Sequence, residues 1–448
     1  MEPWQEKLIA EGQGHLLDGF DSLSEDDKES LRREIGTQDF TLLARLYKEN
    51  SAGGAKAGTA KEEAALSPMP FNIAEDDRRH EMWTETGKLL LSKGQVAAFL
   101  VAGGQGSRLG FEGPKGAFDA GLPSHRTLFE LQARRLLNLA AQSGHPIPWC
   151  IMTSPLNHAA TIAHFEEHGF FGYDRSNIRF FQQGMVCALD PQGHAMKSAP
   201  GHLALVPDGN GGCFRALAQS GTLAWLIEHN VRFVFLYSVD NILVKICDPA
   251  FVGALASDGR ALASSKVVHK RNAQEKVGIF ALCGHVPTVI EYSDLPETLR
   301  DKTLPDGSLA FDGGNIAIHL FRTEALRKLE STPLPWHAAR KTVLGTADAW
   351  KFEQFLFDAF PVLGSMTAFG VEREDEFSPV KNATGPDSAE TARKMVGFLH
   401  REWLRRAGVK LAPGTLYEID PSLSYAGENL SQDVFDREKG RRILEFKV

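Results

Sequence analysis

Residues Val96 to Lys115, VAAFLVAGGQGSRLGFEGPK, constrain this chain more than any other stretch. Val96 to Ala102 form an apolar run with the length and residue types of a buried strand. Gly103, Gly104 and Gly106 follow at once, then Arg108 and, past Gly110, Pro114-Lys115. Glycines at a strand exit let the backbone turn sharply and approach a ligand, with amides left to bind oxygen anions. Arg108 and Lys115 add positive charge beside that turn. Glycines alone would be compatible with a plain turn, but with two cations they suit a phosphate-rich ligand, and we read a nucleoside triphosphate site here. Two other phosphate motifs fail. A P-loop needs Ser or Thr after Gly-Lys, whereas Lys115 stands between Pro114 and Gly116. Gly104, Gly106 and Gly110 give G-x-G-x-x-x-G, one residue longer than the dinucleotide fingerprint.

The rest of the first half alternates in type. Thr127 to Ala141 reads as a helix, with Leu128, Leu131, Ala133, Leu136 and Leu137 at helical spacing. Strand Trp149–Thr153, a helix from Leu156 to His168 and a strand Arg179–Phe181 running into Gln182-Gln183 come next. Pro207-Asp208-Gly209-Asn210-Gly211-Gly212 opens a helix expected to reach Glu228, and Phe233 to Val239 is an apolar strand ending in Asp240. This alternation predicts an α/β fold with a central, mostly parallel, doubly wound sheet, whose ligands sit at the carboxyl ends of the strands. Further on, Ala263–Val268, Val277–Leu282 and Val286–Glu291 suit an antiparallel extension. Lys351 to Phe360 is expected to be helical, with Phe352, Phe355 and Leu356 on one face. Before the sheet, Ser24 with Glu25-Asp26-Asp27 marks a helix start in a small N-terminal helical region, and Ser51 to Lys61 reads as a linker. Pro413-Gly414, Pro421 and Gly427 break the last forty residues into a small β-rich tail.

The net charge of −8 excludes nucleic acid as a bulk partner. No apolar run approaches the roughly 20 residues of a membrane span, and the polar, acidic N-terminus is unlike a signal peptide. Cys150, Cys187, Cys213, Cys247 and Cys283 are odd in number and scattered, which fits a reduced cytoplasmic compartment.

Three further places carry chemistry. Gly209, Gly211 and Gly212 before a helix offer backbone amides, and Asn210 can both donate to and accept from a base or sugar edge. A carboxylate at Asp240, closing a hydrophobic strand, needs a cation or donors. Because nucleoside triphosphates travel with Mg²⁺, which takes one or two carboxylates plus phosphate oxygens, Asp240 is the natural metal ligand. Lys381, after the charged run Glu372 to Glu376, would by itself read as a solvated loop lysine. His164 and His168 stand four apart, but the zinc order H-E-x-x-H is broken by Phe165, so a solvated helix face is expected.

With these residues in hand, the chain resembles the eukaryotic-type UDP-N-acetylglucosamine pyrophosphorylases of the UDP-sugar pyrophosphorylase family. The resemblance rests on LVAGGQGSRLG with PKG, GLPSHRTLFELQ, FFQQGM, PDGNGG, SVDNILVK, GGNIAIHLF, REDEFSPVKNA and YAGENL, in one order over about residues 80 to 430. It implies a Rossmann-like nucleotidyltransferase sheet of the glycosyltransferase-A type. It divides the chain into an N-terminal helical segment and linker (1–80), a catalytic domain (81–387) and a C-terminal helix with a small β-rich domain (388–448). It implies transfer of UMP from UTP to a sugar 1-phosphate, giving a UDP-sugar and pyrophosphate, with Mg²⁺ as cofactor. Carried over, Gly103, Gly104 and Gly106 would hold the nucleotide, and Gln182 or Gln183 and Gly209 would read the uracil edge. Arg108, Lys115 and Lys381 would hold phosphate oxygens, Asn210, Glu291 and Asn315 the sugar, and Asp240 the metal. The expected acceptor is N-acetylglucosamine 1-phosphate; because Gly314 stands where the family usually has alanine, and His269 to Val277 lacks the prolines common there, glucose or galactose 1-phosphate is the alternative. A non-catalytic UDP-sugar sensor and an NADP oxidoreductase are the readings from other classes. The oligomeric state is outside what the sequence encodes legibly.

Overall fold

Ten strands make one sheet: β1 (Leu66–Pro68), β2 (Val96–Val101), β3 (Trp149–Thr153), β4 (Ile178–Gln182), β5 (Phe233–Ser238), β6 (Ala263–His269), β7 (Ile279–Cys283), β8 (Val286–Ile290), β9 (Gly313–Arg322) and β10 (Met366–Gly370). They come from a computed structural model that describes residues 2–51, 65–71 and 77–447. The main path runs β1-β7-β9-β5-β2-β3-β4, with β8 on β7, and β10 joined to β9 through β6. Strands β4, β3, β2 and β5 are mutually parallel, and β2 and β3 are buried nearly throughout, as near-continuous apolar runs in a covered parallel sheet should be. The expected extension is antiparallel: β9 on β5 and β6, β7 on β8.

Parallel strands require crossovers, and helices α1 (Asp77–Ser92), α2 (Leu128–Ser143), α3 (His158–Glu167), α4 (Pro249–Ser257) and α5 (Ala389–Arg406) lie in the chain between or after them. The Thr127 hydroxyl caps α2 by accepting from the Glu130 amide, and Gly144 ends it at φ +70°. Phe129, Ala133 and Leu136 of α2 enter the core with β2, β3 and β5, whereas Leu128 and Leu131 enter a second core with Val396, Leu399 and Tyr417. The helix is therefore buried on two faces, and its polar residues Gln132 and Arg135 are buried with it.

One strand changes neighbours part-way. The upper half of β9 pairs with β5, from Ile318 opposite Tyr237 to Arg322 opposite Phe233. Its lower half meets β7, with Gly314 opposite Ile279. At the handover β6 slips register between Ser265 and Val267, Ala317 takes φ +56°, and the Ala317 amide donates to Asn315 Oδ1 at 3.0 Å. A non-glycine residue in that region marks a built bulge.

These elements belong to one packing unit, Ala65–Gln182, Phe214–Thr332 and Phe360–Val448. A second unit combines Met1–Ala64, Gln183–Cys213 and Pro333–Ala359. Its helices Pro3–Ala10, Glu25–Gly36 and Phe40–Ser51 bury Leu8, Leu31, Leu43 and Leu46 against Val186, Leu203, Trp350 and Phe352. Gln13, Glu34 and Gln38 accept hydrogen bonds from the amides of Ala195, Leu203 and Cys187. Ser24 caps its helix as expected, and the linker region beyond Ser51 lies outside the described residues.

Two local expectations are corrected. Lys351–Glu353 is not helical but ends strand Thr346–Glu353, paired with His337–Val343. Trp350 and Phe352 are buried on one face while Lys351 and Glu353 pair with each other, a period of two that the run of phenylalanines disguised. The helix expected up to Glu228 is broken into Cys213–Gln219 and Thr222–Glu228, with Gly221 at φ +75° between them. At the C-terminus Leu416–Ile419 pairs with Ile443–Phe446 around helix Gln432–Glu438. Among the described residues no helix is long and apolar enough to cross a membrane.

Candidate functional site

The glycine loop leaves β2 and folds back on itself. Gly106 N–H donates to Gly113 O at 3.0 Å, Lys115 N–H to Gly104 O at 3.1 Å, and Phe111 N–H to Gly106 O at 3.2 Å. The amides of Gly103 and Gly104 donate to no backbone carbonyl among the described residues, which leaves them for a ligand, as the sequence pattern implies. A side chain at Gly106 would come within 2.6 Å of the Phe111 ring, and one at Gly116 within 2.2 Å of the Phe129 ring. The glycines around Lys115 thus answer to packing as well as to approach.

Asn157 fastens this loop from the side, and nothing in the sequence reading pointed to it. Its buried amide donates to Ala102 O at 2.9 Å and Gly104 O at 3.2 Å, while its oxygen accepts from Ser154 N–H at 2.8 Å. It stands at the start of α3, fifty residues beyond the loop, so no local motif announces it.

Asp240 follows β5 two residues past the strand end, one strand away from the glycine loop. Its carboxylate Oδ2 lies 3.4 Å from Lys115 Nζ, with the two side chains 17% and 15% exposed. Gln132 Nε2 donates to Val239 O and Arg135 Nη1 to Ile242 O, so α2 fixes the segment on both sides of Asp240. Burial lowers the Arg135 guanidinium to about 10, which still leaves it charged at neutral pH.

A third segment closes on the same place. Val380 N–H donates to Asp240 O at 2.9 Å and Ile242 N–H to Ser378 O at 3.2 Å. Asn241 accepts from Ser378 N–H and donates to Glu376 O. Lys381 is therefore the next residue after one bonded to Asp240. Its side chain is exposed, with Nζ 5.8 Å from the Phe377 ring centre, and its amide donates to Asp387 O. Arg108 is exposed and holds no side-chain hydrogen bond or ion pair among the described residues. Gln182 ends β4, exposed and two strands from β2.

Glu291 and Asn315 are brought together through Gly278. Asn315 N–H donates to Gly278 O at 2.8 Å, and a side chain at Gly278 would meet the Glu291 carboxylate at 3.1 Å. The β5–β9 ladder ends at Ile318 opposite Tyr237, just before the bulge at which β9 changes neighbours. A side chain on Gly314 would point at Val268 O and Cγ2 and at Val277 Cγ1, 3.3 to 3.5 Å away.

Gln183, Gly209 and Asn210 belong to the second unit. There Gly209, at φ +89°, and Gly211 pack on backbone: a side chain on Gly209 would lie 2.3 Å from Gln354 O, and one on Gly211 2.7 Å from Gln354 C. Asn210 is exposed, and its Oδ1 accepts from Leu356 N–H at 2.9 Å. Its amide nitrogen remains to donate.

Among the described residues, one trio brings three candidate metal-binding side chains within 4.8 Å of one another: His164, Glu167 and His168. Glu167 and His168 are exposed, as a solvated helix face requires. Asp240 forms no such trio. A lone carboxylate beside a lysine suits an ion that arrives with phosphate oxygens, not a pre-built cage.

The sequence profile of the family described as UTP–glucose-1-phosphate uridylyltransferase matches residues 45–386. The chain is 37% identical to UDP-N-acetylglucosamine pyrophosphorylase of Saccharomyces cerevisiae, covering 98% of each protein. It is 38% identical to UDP-N-acetylglucosamine diphosphorylase 1 of Arabidopsis thaliana, covering 95% of this chain and 89% of that protein. The crystal structure of a uridine diphosphate N-acetylglucosamine pyrophosphorylase from Trypanosoma brucei superposes with a TM-score of 0.81 at 25% identity, over 98% of this chain and 95% of that one. A UDP-glucose pyrophosphorylase from Leishmania major shares the fold at a TM-score of 0.61 and 18% identity, over 80% of this chain and 77% of that one.

Proposed function

The chain belongs to the UTP–glucose-1-phosphate uridylyltransferase family, and from that premise we propose that it transfers UMP from UTP to N-acetylglucosamine 1-phosphate, giving UDP-N-acetylglucosamine and pyrophosphate. The observation that carries the reading is the meeting of Lys115, Asp240 and the Lys381 segment at the mouth of a glycine loop. Preference for the N-acetylated sugar is supported by the relatives named for it, at 37% and 38% identity over nearly the whole chain. The Gly314 departure does not oppose it, because the missing methyl would face Val268 and Val277.

A sugar phosphate carries ionised oxygens at neutral pH, so no strong base is required. The work is to align one oxygen behind the α-phosphorus of UTP, opposite pyrophosphate, and to offset the repulsion between two anions. Gly103 and Gly104 hold the nucleotide through backbone amides, Gly106 lines it from a turn whose own amide is given to Gly113 O, and Gln182 or Gln183 and Gly209 are assigned to the uracil edge. Arg108, Lys115 and Lys381 screen the phosphates and stabilise charge as it passes to the leaving group. Glu291 and Asn315, which adjoin one another through Gly278, are assigned to the sugar, and so is the amide nitrogen of Asn210. Asp240 would hold Mg²⁺, which supplies charge neutralisation on phosphate oxygens when bound. With five free cysteines, four of them buried, we assign the enzyme to the reducing cytoplasm.

The test is pyrophosphate release from UTP and Mg²⁺ with N-acetylglucosamine, N-acetylgalactosamine, glucose and galactose 1-phosphates in parallel. Preference for the first is expected. Preference for a plain hexose would move the substrate and keep the mechanism, and UDP-sugar binding without any release would leave a sensor. Arg108→Ala and Lys115→Ala should each cost about 100-fold or more in kcat. Near-normal turnover would refute their roles.

A further inference from the structure

A buried lysine that touches none of the proposed ligand-binding groups ties together the two segments on which Asp240 and Lys381 stand. Lys266 lies in β6 with its side chain fully buried, beside Phe251 of α4. Its Nζ donates to Asp248 Oδ2 at 2.6 Å and to Glu376 Oε1 at 2.6 Å. Lys245 Nζ stands 3.7 Å from the same Glu376 oxygen, and Glu376 Oε2 is buried with no hydrogen-bond partner among the described residues. Glu376 is therefore paired inside the protein with Lys266 at 2.6 Å and, farther off, with Lys245. Burial alone would raise the Asp248 carboxyl, but Lys266 and Lys245 outweigh it and hold it below its ordinary value.

Each carboxylate begins a line towards the site. Glu376 O accepts from Asn241 Nδ2 at 2.7 Å, Asn241 Oδ1 accepts from Ser378 N–H at 3.0 Å, and Val380 N–H reaches Asp240 O at 2.9 Å. Asp248 caps α4 through the Ala250 amide and so ends the loop that Asp240 begins. Lys266 thus pins the far end of the 240–248 loop and the near end of the 376–381 segment to one point. We infer that Lys266, acting through Glu376 and Asn241, is a positioning residue that sets the distance between Asp240 and Lys381. The inference rests on the transfer reaction proposed above for its kinetic arm alone.

Without its cation the pair Asp248–Glu376 would repel, and the 376–381 segment would lose its anchor while the β2 glycine loop kept its own bonds. The experiment compares the full chain with Lys266→Met and Asn241→Ala, each also in a Lys381→Ala background. Amide hydrogen exchange at Ser378 and Val380 should quicken by about 100-fold, with protection across Phe233–Ser238 unchanged. Well below the unfolding temperature, kcat should fall roughly 10- to 100-fold with the KM for UTP within about threefold, since only alignment is disturbed. In the Lys381→Ala background neither change should lower kcat further. Unchanged exchange at Ser378 and Val380, or kinetic losses that multiply with Lys381→Ala, would overturn the inference. If Lys266→Met does not fold, Asn241→Ala, which leaves the buried charges intact, decides the question. If the wild-type chain releases no pyrophosphate with any sugar phosphate, the proposed reaction fails, and the exchange arm still decides whether Lys266 holds the two segments.

Discussion

Asn157→Ala removes a side chain that touches no proposed ligand yet ties down the loop that holds one. Asn157 is 1% exposed, and so is Ser154, whose amide it accepts; Ala102, whose carbonyl it satisfies, is 2% exposed. Truncation orphans that amide and that carbonyl in a site closed to water. At about 1–3 kcal/mol for each orphaned group, the loss is about 2–6 kcal/mol of stability. Gly104 O is exposed enough to find solvent and keeps the Lys115 amide, so it adds little. The loop loses its lateral tether while its three internal backbone bonds remain, and the UTP concentration for half-saturation should rise about tenfold, equivalent to about 1.4 kcal/mol. Asn157→Asp separates the causes. It keeps both bonds from Ser154 but sets a carboxylate oxygen against the carbonyls of Ala102 and Gly104, so it should be at least as damaging as alanine despite its near-identical shape. Urea unfolding at constant m, with UTP titration of each variant, measures both quantities. Two variants within about 0.5 kcal/mol of wild type, with unchanged UTP half-saturation, would refute the argument.

Gly116→Ala drives a methyl into the fully buried Phe129 ring and should cost about 1–3 kcal/mol by thermal unfolding, with a fall in kcat as Lys115 is displaced. Gly314→Ala asks its neighbours to yield only a few tenths of an ångström, so unfolding should shift by under about 1 kcal/mol and the order of preference among sugar phosphates should not change. Burial holds His319 and His400 neutral, each lowered to about 3 from 6.5, and His400 Nδ1 already accepts from the Ile419 amide. Their contribution is therefore complete above pH 6.5 and is lost as the pH falls towards 3, at up to about 2.7 kcal/mol per pH unit for the two together. Urea midpoints that stay flat between pH 6.5 and 5 would contradict this, and His319→Gln should halve the slope.

Legibility in the sequence followed how local each cause was. The strand Val96–Val101, the glycine turn and the capped helix after Thr127 depend on neighbours a few residues away, and each could be read directly. Asp240 and Lys115 were legible as chemistry, but their meeting at 3.4 Å depends on β2 and β5 being adjacent in the sheet. Asn157, Gln132 and Arg135 act on carbonyls fifty to over a hundred residues away, and no spacing encodes that. The same holds for the N-terminal helices, whose apolar faces are matched by Val186 and Phe352. At Lys351–Phe360 the local signal misled, because Phe352, Phe355, Leu356 and Ala359 fit a helical face while the pairing partner of Lys351–Glu353 lies outside the window.

The neighbour exchange of β9 has a consequence for how such a chain can diverge. Among the described residues β7 and β8, which follow Gly278 and lead to Glu291, share no hydrogen-bonded edge with β2 or β5, from which the glycine loop and Asp240 arise; β9 is the strand between β7 and β5. Insertions, deletions or exchange of the β7–β8 hairpin leave the β2–β5 register untouched, because the bulge at Asn315–Ala317 absorbs the discontinuity. A lineage can therefore retool one end of its substrate while inheriting the other end intact.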